Sequence, residues 1–182
     1  MKTFFICALP RSRTSWLANL LTYDQSFCFH EPLVGIKSLS ELKKKFNSVN
    51  RCMVGSSDCG NQYFADALSK EFPKSKFIVI RRPLDECQKE MTEIGHPDHG
   101  TLEHSDYLLG KVIANHSPMV IDFNCLSNPE TGMAIFDYLH IPFDRERFDM
   151  LINLDIQPRK EWINSQTNAD NMASANTLAG CA

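Results

Sequence analysis

The stretch Thr3-Phe4-Phe5-Ile6-Cys7-Ala8-Leu9-Pro10-Arg11-Ser12-Arg13-Thr14-Ser15-Trp16 decides the fold class. Its first seven residues form an almost unbroken apolar run, the pattern of a strand covered on both faces in a parallel sheet. From Thr14 onward, Trp16, Leu17, Leu20 and Leu21 recur at the spacing of one helix face, and the pattern ends near Tyr23-Asp24. Strand, tight loop and helix therefore open the chain.

The rest repeats that unit. Phe27 to His30 reads as a short strand stopped by Pro32, and Ser38 with Glu41 forms a capping box for a helix over 39–47. Cys52 to Gly55 is a strand followed by a helical stripe of Tyr63, Phe64, Ala67, Leu68 and Phe72. Lys76 to Ile80 is the clearest strand, and after Arg81-Arg82-Pro83 the positions Leu84, Cys87, Met91 and Ile94 return to helical spacing, with Pro83 suited to a first turn. A loop over 95–101, a helix over 103–115 and a strand over Met119 to Ile121 follow. Asn128-Pro129 then starts a helix carrying Ile135, Phe136 and Leu139, and Asp144 starts another with Phe148, Leu151 and Ile152. The alternation predicts a three-layer α/β/α fold around a parallel sheet of four or five strands, with ligands at the carboxyl ends of the strands. Residues 1–164 are read as one domain, and 165–182, rich in Asn, Ser and Ala without apolar periodicity, as a flexible tail.

With 182 residues, the chain has room for one catalytic domain, and 43% hydrophobic and 23% charged residues exclude wholesale disorder. A formal charge of −3 gives no global attraction for nucleic acid or an anionic membrane, so any anion must be held locally. Seven cysteines without a C-x-x-C pair or regular spacing are expected to be reduced thiols of a cytoplasmic protein. Pro10-Arg11-Ser12-Arg13 cuts the first apolar run too early for a secretory leader, and no other run approaches the roughly 20 residues of a membrane span.

The loop between the first strand and helix is the candidate site. Arg11 and Arg13 supply charge, Ser12, Thr14 and Ser15 supply hydroxyls, and Trp16 closes the stretch with its ring expected in the core. Pro10 to Trp16 is thus a phosphate cradle by composition and position. A plain surface turn with capping hydroxyls and solvated arginines is the bland alternative, and two arginines with three hydroxyls in five residues argue against it. The stretch does not match the Walker pattern G-x-x-x-x-G-K-S/T, since the first glycine of the chain is Gly35.

Pro10-Arg11-Ser12-Arg13-Thr14-Ser15 resembles the 5′-phosphosulfate loop P-K/R-S-G-T-S/T of sulfotransferases that use 3′-phosphoadenosine-5′-phosphosulfate (PAPS). Phe77-Ile78-Val79-Ile80-Arg81-Arg82-Pro83-Leu84-Asp85 is similar to the family's second signature, a strand followed by R-x-P-x-D. A weaker likeness runs from Val120-Ile121-Asp122-Phe123 to Tyr138-Leu139-His140-Ile141-Pro142. The three together cover residues 3–150 in the family's order. The resemblance implies a P-loop NTPase-like fold, a metal-free transfer of a sulfuryl group from PAPS to a hydroxyl or amine acceptor, phosphosulfate on residues 10–16, and the 3′-phosphate on Arg81 with Lys89 as a second partner. Two positions depart from the pattern: Arg13 replaces the loop glycine, and Lys89 stands where the family has a serine for the 3′-phosphate.

For the chemistry, the resemblance implies Arg11 as the cation at the leaving group and Glu31 as the base. His30 is the rival base, since histidines titrate near neutrality, and strand alternation is expected to point His30 and Glu31 to opposite faces. Asp58 reads as the cap of the next helix rather than a Mg²⁺ ligand. The loop His96-Pro97-Asp98-His99 matches no zinc spacing and reads as a polar, acceptor-facing loop. Arg159-Lys160 is a late basic pair that could close the 3′-phosphate site. Two alternatives stand beside the sulfotransferase: a P-loop-type kinase of a nucleotide or small molecule, and a nucleotide-binding module without catalysis.

Overall fold

The computed structural model describes residues 1–98 and 100–154. His99, Arg159-Lys160, the boundary at 164 and the expected tail lie outside the described residues. Five strands, β1 (Lys2–Ala8), β2 (Ser26–His30), β3 (Met53–Ser57), β4 (Lys76–Arg81) and β5 (Met119–Asp122), form one sheet in the order β2-β3-β1-β4-β5. All four pairings are parallel, as the alternation with helices requires.

The central strand is buried on both sides. Phe4, Ile6 and Ala8 face one core, built with helices α1 (Thr14–Leu20), α6 (Pro129–Leu139) and α7 (Arg145–Ile152). Phe5, Cys7 and Leu9 face the other, with α2 (Leu39–Asn47), α3 (Ala65–Glu71), α4 (Leu84–Glu93) and α5 (Thr101–His116). This two-residue alternation turns an apolar run into the middle layer of three. At Gly55, opposite Phe4 in the β1–β3 register, an added Cβ would lie 2.4 Å from the Phe4 ring, so the strand needs glycine for close approach.

The caps read from the sequence are present: Ser38 Oγ accepts from Glu41 N–H, Asn128 Oδ1 from Glu130 N–H and Asp144 Oδ1 from Arg147 N–H. Two elements differ from the periodic reading. Helix α1 stops at Leu20, because Asp24 turns the chain with φ 46° and Ser26 Oγ donates to the Leu21 carbonyl. The stripe over 63–72 splits into a 3₁₀ turn, Asn61–Phe64, and α3. Asn61 and Gln62 are pulled inward there, Asn61 Nδ2 donating to the Ile6 carbonyl at 2.8 Å and Gln62 Nε2 to Ser105 Oγ at 2.6 Å and the Ala8 carbonyl at 3.3 Å. These bonds fix the carboxyl end of β1, and so the start of the loop that follows. No helix among the described residues is long and apolar enough to cross a membrane. The six described cysteines form no disulfide.

Candidate functional site

The β1–α1 loop lies at the carboxyl end of the central strand, between the ends of its two neighbours. Its backbone is left-handed at Arg11 (φ 64°) and at Arg13 (φ 59°), with Ser12 and Thr14 outside that region. Alternation of this kind turns successive N–H groups toward one concavity, a nest suited to anions. Among the described residues, the N–H groups of Ser12, Arg13 and Thr14 donate to no backbone carbonyl. Ser12 Oγ is buried without a hydrogen-bond partner, with the Cys87 thiol, a weak partner at most, beside it.

Arginine at a left-handed position costs about 1 to 2 kcal/mol relative to glycine. At Arg13 the cost is offset by two contacts: a guanidinium N–H donates to Ser127 Oγ at 2.8 Å, and the group lies 5.8 Å from the Phe123 ring centroid. Arg13→Ala keeps the backbone strain and loses both contacts, whereas Arg13→Gly loses the contacts and relieves the strain. The glycine variant is expected to be more stable than the alanine variant by about 1 kcal/mol in urea unfolding. An alanine variant as stable as the glycine variant would contradict a left-handed Arg13.

Arg11 is held from α4. Its Nε donates to Glu90 Oε2 at 3.2 Å, and its side chain is 16% exposed. Arg82, 7% exposed, donates to the other Glu90 oxygen, to the Arg11 carbonyl and, through Nε, to Glu86 at 3.2 Å. Its guanidinium lies 4.1 Å from the centroid of Phe123. Partial burial pushes the Glu90 carboxyl up, but the guanidinium groups of Arg82 and Arg11 outweigh it and hold the group below the usual carboxylate range. Arg82, Glu90 and Phe123 were not among the residues read from the sequence as part of the site. The spacing of Arg82, Glu86 and Glu90 at i, i+4 and i+8 is the signal that marks them.

On the other flank, His30 Nε2 lies 3.0 Å from Ser15 Oγ and 3.3 Å from Thr14 Oγ1. Glu31 Oε1 is 3.8 Å from the same nitrogen. The two side chains therefore meet, against the expectation of opposite faces. Alternation ends with β2 at His30, and Glu31 turns left-handed (φ 48°), which brings its carboxylate round to the imidazole. Nearby, burial first, then the Glu31 and Asp58 charges, push the Cys59 thiol up to about 12, so it is inert. Asp58 accepts from Gly60 N–H at 2.7 Å and Leu33 N–H at 3.0 Å, the work of a turn cap.

The remaining expected residues are more dispersed. Arg81 ends β4 and pairs with Asp106 at 2.7 Å. Lys89 is exposed on α4, and among the described residues no hydrogen bond or ion pair joins it to the loop or to Arg81. Trp16 is 3% exposed with its ring edge-on to Phe148, so it offers the loop its backbone and the core its ring. Pro10 lines a cavity of about 350 Å³ together with Met91, His96, Pro97, Thr101 and Leu102. Asp98, beside that cavity, accepts from Thr101 N–H at 2.9 Å and starts α5. No group of three or more His, Cys, Asp or Glu among the described residues is arranged to hold a metal ion.

No protein-family model and no curated protein matches the chain. Solved structures do. A sulfotransferase from Alicyclobacillus acidocaldarius matches over 98% of this chain and 95% of its own, with a TM-score of 0.57 at 14% identity. A mouse sulfotransferase complexed with PAP matches over 83% of this chain and 62% of its own, with a TM-score of 0.58 at 11% identity. The tunicamycin resistance protein of Deinococcus radiodurans matches over 78% of this chain and 96% of its own, with a TM-score of 0.53 at 10% identity. At such identities the likeness is one of fold: a parallel α/β sheet flanked by helices, shared with sulfotransferases and with a protein of another kind.

Proposed function

We propose that the protein is a small sulfotransferase that moves a sulfuryl group from PAPS to a hydroxyl or amine acceptor. The observation that carries this reading is the β1–α1 loop: left-handed at Arg11 and Arg13, the arginines that flank Ser12 in the chain, with a buried Ser12 hydroxyl that has at most the Cys87 thiol as a partner. Those donors fit a phosphosulfate. The sulfotransferases among the structural neighbours support it, one of them being complexed with PAP. The bound nucleotide supplies the sulfuryl group, and no metal is needed.

The chain's own residues then divide the work. Ser12, Thr14 and the N–H groups of residues 12–14 hold the sulfuryl end. Arg11 stabilises charge on the leaving oxygen, Glu31 accepts the proton of the acceptor, and Arg81, with Lys89, attracts the 3′-phosphate. The cavity beside Pro10 receives the acceptor.

Calorimetric titration with adenosine-3′,5′-bisphosphate tests the reading before an acceptor is known. Micromolar binding, unchanged by Mg²⁺ and tighter than that of ADP, is expected. No binding would point to a module that has lost its ligand, and Mg²⁺-dependent preference for ADP would point to a kinase.

A further inference from the structure

Glu90 places a carboxylate beside a loop suited to binding anions. Its two oxygens are divided between the guanidinium groups of Arg11 and Arg82, and Arg82 also donates to the Arg11 carbonyl. One buried guanidinium thus fixes the loop backbone at Arg11 and the carboxylate that grips the Arg11 head. Phe123 covers the face of Arg82, and Glu86 occupies its Nε, so Arg82 is fully engaged in this cluster. Glu90 differs in being one-third exposed on its side chain, and its pairing with Arg11 at 3.2 Å sets its charge next to the β1–α1 loop. Held by two guanidinium groups, the carboxyl stays ionised at neutral pH.

A fixed negative charge at this point repels every bound anion, and the repulsion grows with the ligand's charge. The sulfuryl end of a phosphosulfate carries one negative charge. The terminal phosphoryl group of a nucleoside diphosphate, otherwise the same shape, approaches two above its second pKa of about 6. We propose that Glu90 is a specificity-determining residue: its carboxylate, fixed on Arg11 and Arg82, lets the loop accept a singly charged sulfuryl terminus and turns away the doubly charged phosphoryl terminus of a nucleotide. This deepens the sulfotransferase reading and rests on it.

Affinities for PAPS and for 3′-phosphoadenosine-5′-diphosphate, measured by calorimetry at pH 8 without Mg²⁺, test the role directly. The two ligands differ by one charge at the terminal group. The wild-type protein is expected to prefer the phosphosulfate, and Glu90→Gln, which keeps volume and an accepting oxygen, to lose about 10-fold of that preference through tighter diphosphate binding. An unchanged ratio in the folded variant, or an equal gain for both ligands, overturns the proposal.

Salt dependence of the wild-type ratio gives a second measurement that needs no variant. If the Glu90 charge governs, added salt screens it and the preference for phosphosulfate falls. If the basic residues govern, added salt weakens diphosphate binding more and the preference rises, which also overturns the proposal. A wild-type protein that binds neither ligand defeats the sulfotransferase reading itself, an outcome distinct from binding without discrimination.

Discussion

Arg82→Ala is expected to lower unfolding stability by about 2 to 4 kcal/mol, read as a drop in the urea midpoint with an unchanged slope. The side chain is 7% exposed and donates to Glu86, Glu90 and the Arg11 carbonyl, so truncation removes packing on Phe123 and strands a carboxylate and a carbonyl together. Breaking a buried pair typically costs about 3 to 5 kcal/mol. The lower range applies here because Glu90 is one-third exposed and keeps Arg11. Arg82→Lys is expected to recover only part of the loss, since one ammonium cannot reproduce a planar fork bonded to three partners. The same cluster shapes the acid response. Glu90 titrates below its ordinary value near 4.5 in the folded protein, so its contribution is fully present above that value and is lost as pH falls through the folded pKa. Glu90→Gln should therefore flatten the decline of stability below about pH 4.5. A variant with the wild-type acid slope would mean that the ion pairs do not form in solution.

The layers of the fold were legible because they depend on periodicity. An apolar run with both parities buried, followed by a helical stripe, has few arrangements other than a central parallel strand with its crossover, and Ser38, Asn128 and Asp144 mark three helix starts by local bonds alone. The loop was legible in composition but not in shape. The glycine of the sulfotransferase loop, replaced here by Arg13, hints at one left-handed position, but nothing announces the second at Arg11, and what offsets the strain of both comes from Glu90, Arg82, Phe123 and Ser127, all distant in sequence. Similarly, alternation served up to His30 and then misdirected Glu31, whose positive φ lies just past the strand. The split of the second helical stripe has the same origin, since Asn61 and Gln62 answer buried carbonyls of β1 rather than their own helix. The end of α1 and the turn at Glu31 follow from single left-handed residues, whereas the split stripe follows from hydrogen bonds between residues more than 50 apart in sequence.

Glu31→Gln is expected to reduce sulfuryl-transfer turnover by about 100-fold or more while leaving the affinity for adenosine-3′,5′-bisphosphate within about twofold. The argument comes from the division of contacts on this flank. His30 already faces the loop, its Nε2 within hydrogen-bonding reach of the Ser15 and Thr14 hydroxyls, so its first effect is on the shape of the cradle. Glu31 is half-exposed, with the His30 imidazole 3.8 Å away, and is thus able to meet a proton arriving on an acceptor. Removing the imidazole, as in His30→Ala, is expected to weaken nucleotide binding several-fold and to lower turnover chiefly through that loss. The two variants should thus separate in a KM-against-kcat comparison, one moving kcat and the other moving nucleotide affinity. If His30→Ala abolishes turnover at saturating nucleotide while Glu31→Gln does not, the base is His30, and Glu31 only orients it across the 3.8 Å gap. Because the positive φ of Glu31 sets this meeting, Glu31→Gly should reproduce the turnover defect without unfolding the protein, leaving the backbone turn in place and removing only the carboxylate.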